Sequence, residues 1–173
     1  MFAMPFPPNR LLEIYLADHL AAATAGVALA RRTARSNART TFGEVLRRLA
    51  GEIEDDRRAL EGIVVELGFR ESKTKEAVAW VGEKIGRLKL NGQIRGYSPL
   101  SRVLELEALA VGVAGKLALW ESLLAMPGMR EHLSRFDLND LAERARRQSA
   151  EIEDYRLRAA REAFAPGASA AGD

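Results

Sequence analysis

Apolar residues recur at steps of three and four along four long stretches of the chain, the spacing that gathers them on one face of an α-helix. The first stretch follows Asn9. LLEIYL leads into the Ala-rich AAATAGVALA, predicting a helix capped by Asn9 and running to about Asn37. The second carries Phe42, Leu46, Leu49, Ile53, Leu60, Ile63 and Leu67. Thr41 and Glu44 are spaced as a capping box at its start, and Gly68 is a natural stop. The third opens at Ser98-Pro99, lines up Val103, Leu106, Ala110, Val113, Leu117, Trp120 and Leu124, and ends near Met126, before Pro127-Gly128. The fourth begins near Asp137, places Leu138, Leu141, Ala145, Ile152, Tyr155 and Ala159 on one face, and ends before Pro166-Gly167. No stretch alternates as a strand does, so the predicted fold class is all-α.

The connections decide the topology. Helices one and two are joined by the short turn SNART, and helices three and four by another short link, so each pair is expected to be antiparallel. Residues 69–99 form a long connection, with a shorter amphipathic helix expected at about Thr74–Leu88. The domain reading is a flexible lead-in at 1–9, one helical domain at 10–165 and a disordered tail at 166–173.

Two helical hairpins joined by one long crossover resemble the ferritin-like four-helix superfamily, which includes the rubrerythrins and a bacterial stress-associated branch. The similar segments are LLEIYLADHL, LAGEIEDDRRALEGIVVELG, ELEALAVGVAGKLALW and RRQSAEIEDYRLRAA. The resemblance implies a ferritin-like bundle with a helix-containing crossover. In its metal-bearing members it also implies a di-iron centre built from carboxylates and Glu-x-x-His pairs. This chain departs from that ligand set. Helix two offers Glu52, Glu54, Asp55 and Asp56, but Arg57 and Arg58 follow where a histidine is sought. Helix four offers Glu151, Glu153 and Asp154, again without histidine. The chain has two histidines, no Glu-x-x-His occurs, and His132 falls near a turn.

Polar residues on the apolar stripes mark where a buried site is expected. Asp56 lies between Ile53 and Leu60, His19 shares a face with Leu12, Leu16 and Ala23, Gln148 lies between Ala145 and Ile152, and Glu107 borders the third stripe. An isolated buried charge is costly, so these four are expected to partner one another, with His19 approaching Asp56. The primary reading is a hydrogen-bonded cluster that fixes helix register. A sharper one is a small ligand or single metal ion held by His19, Asp56 and Glu107. A carboxylate-only centre for iron or manganese, acting in iron or peroxide handling, would use Glu52, Asp56, Glu107 and Glu151.

Composition narrows the chemistry. At 29% charged and 47% hydrophobic the chain is not disordered, and at 6% aromatic its core rests on Leu, Val, Ile and Ala. Cysteine is absent, which excludes disulfides, thiolate catalysis and Cys-based zinc sites and fits a cytoplasmic location. MFAMPFPPNR does not read as a signal peptide. Leu104–Leu124 is interrupted by Glu105, Glu107, Lys116 and Glu121, so no membrane span is expected. Gly26, Gly112 and Gly115 inside helices predict close approach by another backbone or a bulky side chain.

Arg31, Arg32, Arg35 and Arg39 gather near the first turn, with Arg47 and Arg48 close by. They read first as a solvated helix end, because cations are favoured near a helix C-terminus. As an alternative the chain is a nucleic-acid-associated helical protein using this arginine patch, for which a net charge of +2 is weak support. Neither a Gly-rich phosphate loop nor a nucleophile elbow occurs, so no catalytic residue is predicted. The expected molecule is a non-enzymatic, cofactor-free structural or interaction module. It is expected to form a homodimer through the exposed side of helices one and two, with no membrane or nucleic-acid partner.

Overall fold

Three of the five described helices begin where a side chain takes up free N–H groups of the first turn. In a computed structural model of the chain, which describes residues 9–69 and 97–166, Asn9 Oδ1 accepts hydrogen bonds from the Leu11 and Leu12 N–H groups, each at 3.1 Å, and opens α1 (Arg10–Ser36). The expectations for residues 1–8, for the Thr74–Leu88 helix and for the tail from 167 onward lie outside the described residues.

The start of α2 (Gly43–Glu66) differs from the predicted capping box. Phe42 is the cap, already in helical conformation, and makes no side-chain cap bond. Thr40 organises the turn instead: its hydroxyl donates to the Asn37 carbonyl at 2.8 Å and accepts from the Phe42 N–H at 3.2 Å. Thr41 is thus displaced from cap register, and its hydroxyl accepts from Arg158 at 2.6 Å. The turn is tight. A Cβ on Gly43 would stand 2.8 Å from the carbonyl oxygens of Asn37 and Ala38. Gly68, at φ +73°, ends α2 as predicted.

Ser98 and Ser101 form a capping box at the head of α3 (Pro99–Ala125). Gly128, at φ +74°, turns the chain into the single turn α4 (Met129–His132), which the sequence pattern did not reveal. Asp137 Oδ1 then caps α5 (Leu138–Ala163) through the Asn139 and Asp140 N–H groups.

Side-chain contacts fix the helix directions. The start of α1 meets the end of α3 through the Tyr15 and Ser122 hydroxyls at 3.2 Å. The residue capping its far end, Asn37, accepts from Arg102 at the start of α3, at 2.6 Å. α1 and α3 are therefore antiparallel. Thr41, just before α2, meets Arg158 near the end of α5, and Glu66 at its end meets Arg135 just before α5, at 3.1 Å. Those two helices are antiparallel as well. The start of α1 packs with the end of α2, Leu12 and Leu16 with Leu60 and Ile63, and its end with the start of α2, Val27 and Ala30 with Val45 and Leu46. So α1 and α2 are antiparallel, α2 and α3 run the same way, and the chain leaves α2 at one end of the molecule and enters α3 at the other.

The apolar stripes merge into two clusters along this axis. One gathers Leu12, Leu16, Leu60, Ile63, Trp120, Leu123 and Leu141, and is closed off by the fully buried Met129 and Leu133 beside α4. The other gathers Val27, Phe42, Leu46, Leu49, Ile53, Val103, Leu106, Val113 and Ile152. Between them, in chain position on every helix, lies a stretch without large buried apolar residues: Ala21 to Gly26 on α1, Asp56 on α2, Lys116 on α3 and Gln148 on α5.

By length and composition both α1 and α3 reach the range of a membrane span, α3 despite its charges. Both supply residues to the two clusters. Gly62 is matched to the ring of Phe136, 3.0 Å from where its Cβ would lie. Gly26, Gly112 and Gly115 differ from expectation: an added Cβ would meet nothing within 4 Å, so the described residues do not make the close approach predicted there.

Candidate functional site

The layer at mid-height concentrates the buried chemistry. Asp56 is 1% exposed, and its place between Ile53 and Leu60 on the inner face of α2 leaves it no route to water. Lys116 lies three residues after Val113 and four before Trp120, so helix phase sends it inward from α3. Its Nζ sits 2.5 Å from Asp56 Oδ2 and donates equally closely to Gln148 Oε1, with the side chain only 13% exposed. Gln148 completes the ring from α5: its Nε2 donates to Glu52 Oε2 at 3.1 Å and to Asp56 Oδ2 at 3.3 Å. Arg144, one turn before Gln148, brings Nη2 to 2.7 Å from Asp56 Oδ1, close enough to pair charges but off the hydrogen-bonding line.

Charge balances across this layer. Asp56 and Glu52 face Lys116 and Arg144, and at the rim Arg48 bridges Glu52 and Glu151. Burial pushes the Lys116 ammonium below its usual value, and the attraction of Asp56 only partly opposes it. Burial also pushes Glu52 up, but the hydrogen bonds from Gln148 and Arg48 outweigh it and leave the carboxyl below its usual range. Arg48 is held above its ordinary value by Glu151 and Glu52.

The predicted cluster comes together in part. Asp56 and Gln148 meet, and Glu52 joins them. His19 does not join Asp56 among the described contacts. It is half-buried with its ring edge-on to Tyr15 at 4.5 Å, and burial lowers its pKa against the opposing charge of Asp18. Glu107 is exposed and faces Arg156 at 3.7 Å. Glu151 lies at the rim, on Arg48. Of the four carboxylates of the alternative metal site, Glu52 and Asp56 share the Gln148 amide, Glu52 and Glu151 share Arg48, and Glu107 stands apart on Arg156. Among the described residues no group of three or more His, Asp or Glu side chains gathers as a metal holder.

Sequence reasoning missed Lys116 and Arg144. Their signal was positional, since both fall on apolar stripes, but a long cationic side chain at a stripe is ordinarily taken to reach for solvent. It also missed a second polar network where α3 begins beside the end of α1. Asn37, fully buried, donates to the Tyr97 hydroxyl at 2.6 Å and accepts from Arg102. Tyr97 donates to Glu105 at 3.0 Å, and Arg32 pairs with Glu105 at 2.8 Å. Burial pushes the Tyr97 hydroxyl up to about 12, with the Glu105 charge adding to it.

Chemically, the central layer is a set of charge-paired ions in which Asp56 Oδ1 and Arg144 Nε are buried without a hydrogen-bond partner. Every Asp56 and Gln148 oxygen faces a cation or an amide donor. No family model, curated protein or solved structure matches the chain.

Proposed function

We propose that this chain is a non-enzymatic, ferritin-like four-helix bundle in which a tethered ammonium stands where metal-bearing members of that superfamily hold a cation. The observation that carries the reading is Lys116 Nζ seated against Asp56 and Gln148 oxygens between two apolar clusters. Parallel α2 and α3 joined by a crossover support the fold assignment, since that arrangement is the ferritin-like one. The residues at the centre do not fit a pair of iron or manganese ions. Two hard cations need several anionic oxygens and imidazoles, whereas Lys116 and Arg144 already neutralise Asp56.

A protein whose centre is self-neutralised serves as a scaffold or interaction module, here read as a cytoplasmic homodimer. The outer side of α2 is charged, with Glu44, Arg47, Arg48, Asp55 and Arg58 exposed. Most of the exposed large apolar side chains among the described residues lie on α1 and α3, with Leu11 79% exposed, Val111 75% and Leu104 49%, whereas α2 exposes one, Val65 at 63%. We therefore assign the self-association surface to α1 with α3 rather than to α1 with α2. Elemental analysis of protein from its native source tests the central claim. Sub-stoichiometric iron and manganese, with a melting temperature indifferent to a chelator, is expected; two ions per chain would overturn it.

A further inference from the structure

Near the turn between α1 and α2 lies a groove of about 390 Å³, walled by Arg31, Arg35, Arg47 and Glu54 and floored by Ala34, Ala50 and Gly51. Several arginines elsewhere on these helices face carboxylates: Arg32 meets Glu105, Arg48 meets Glu52 and Glu151, and Arg57 meets Glu61. In the groove, positive charge is left over. Glu54 is engaged by Arg31 at 2.6 Å and by Arg58 at 3.3 Å, which hold its carboxyl below the usual range. Among the described residues no carboxylate faces Arg35 or Arg47.

Gly51 leaves the groove open. It lies inside α2 at an exposed position, where glycine weakens a helix relative to alanine. A Cβ there would meet nothing within 4 Å, so internal packing does not demand glycine. What a larger side chain would do is fill the groove.

We propose that this groove binds the phosphate group of a small phosphate monoester, held between the Arg35 and Arg47 guanidiniums with Arg31 at its edge. The planar guanidinium fork matches phosphate oxygens in bidentate fashion. Three arginines against one glutamate leave a charge surplus that suits a dianion. The volume lies in the range of small-ligand pockets, roughly 300–1,000 Å³. No aromatic side chain lines the groove, so it offers no stacking platform for a single-stranded nucleic acid.

Isothermal titration of the full chain at low ionic strength, with inorganic phosphate and with phenyl phosphate, tests this. Saturable binding of one equivalent is expected, weakened at least about tenfold in the Arg35→Gln/Arg47→Gln variant. Gly51→Leu is expected to weaken phenyl phosphate by a similar factor while circular dichroism stays that of the parent. Tighter binding of the ester assigns the groove to an organic phosphate; equal binding assigns it to the free anion. Absence of saturation by either probe, or undiminished binding by the double variant, would overturn the proposal. So would a duplex oligonucleotide that displaces both probes with a steep salt dependence.

Discussion

Lys116 is the residue on which the centre turns. Removing Lys116 leaves the buried Asp56 with Arg144 alone and takes a donor from Gln148, so Lys116→Met is expected to destabilise the fold by about 1–3 kcal/mol in urea titrations at neutral pH. Replacing Asp56 as well, by Asn, is expected to recover part of that loss, and the double-mutant cycle measures the coupling. The pH dependence has a definite sign. Burial holds the folded-state ammonium below 10.5, so the unfolded chain binds this proton more readily. The contribution of Lys116 to stability is therefore lowest below its folded pKa, rises as pH climbs through that value, and is complete above 10.5. As pH rises from neutral toward 10.5, the urea midpoint of the parent is expected to rise relative to Lys116→Met. A midpoint difference that stays flat over that range would contradict the burial of the ammonium. Asp56 and Gln148 were legible in the sequence because short polar side chains on an apolar stripe have nowhere else to go. Lys116 and Arg144 were not, since a long aliphatic stem can carry its charge either inward or outward.

At the scale of the helix, the caps were readable and the turns less so. Asn9, Ser98 and Asp137 mark starts through their own side-chain oxygens, a local signal that sequence carries directly. The Thr41–Glu44 box failed because the constraint at that turn is the space around Gly43 and the hydroxyl of Thr40, both set by how α1 ends. The one-turn α4 is too short to show a period. The glycines separate the two kinds of constraint. Gly51→Ala has open space for its Cβ and is expected to raise stability by about 0.5–1 kcal/mol. Gly62→Ala meets Phe136 at 3.0 Å and is expected to lower it by about 1 kcal/mol or more. Thermal melts of the two variants are expected to move in opposite directions.

For the whole molecule, connection lengths told which helices are hairpin partners, and the cross-helix contacts then set α2 and α3 parallel. Which outer face is apolar was not legible in advance. Stripe phases on α1 and α2 mark inward positions, while exposure on α3 depends on which neighbour covers it. If α1 and α3 form the surface where two copies meet, Val111→Glu is expected to shift sedimentation equilibrium toward the monomer, with circular dichroism unchanged because the side chain is 75% exposed. A parent that sediments as a monomer at micromolar concentration would remove the homodimer from this reading.

The positive charge at mid-height belongs to the polypeptide itself. On the reading proposed above, it arrives with synthesis as Lys116 and Arg144 and owes nothing to what the surroundings supply. On that reading, assembly of the helices completes the interior in a single event, and neither scarcity nor excess of an ion in the growth medium is expected to divide the population into filled and empty forms.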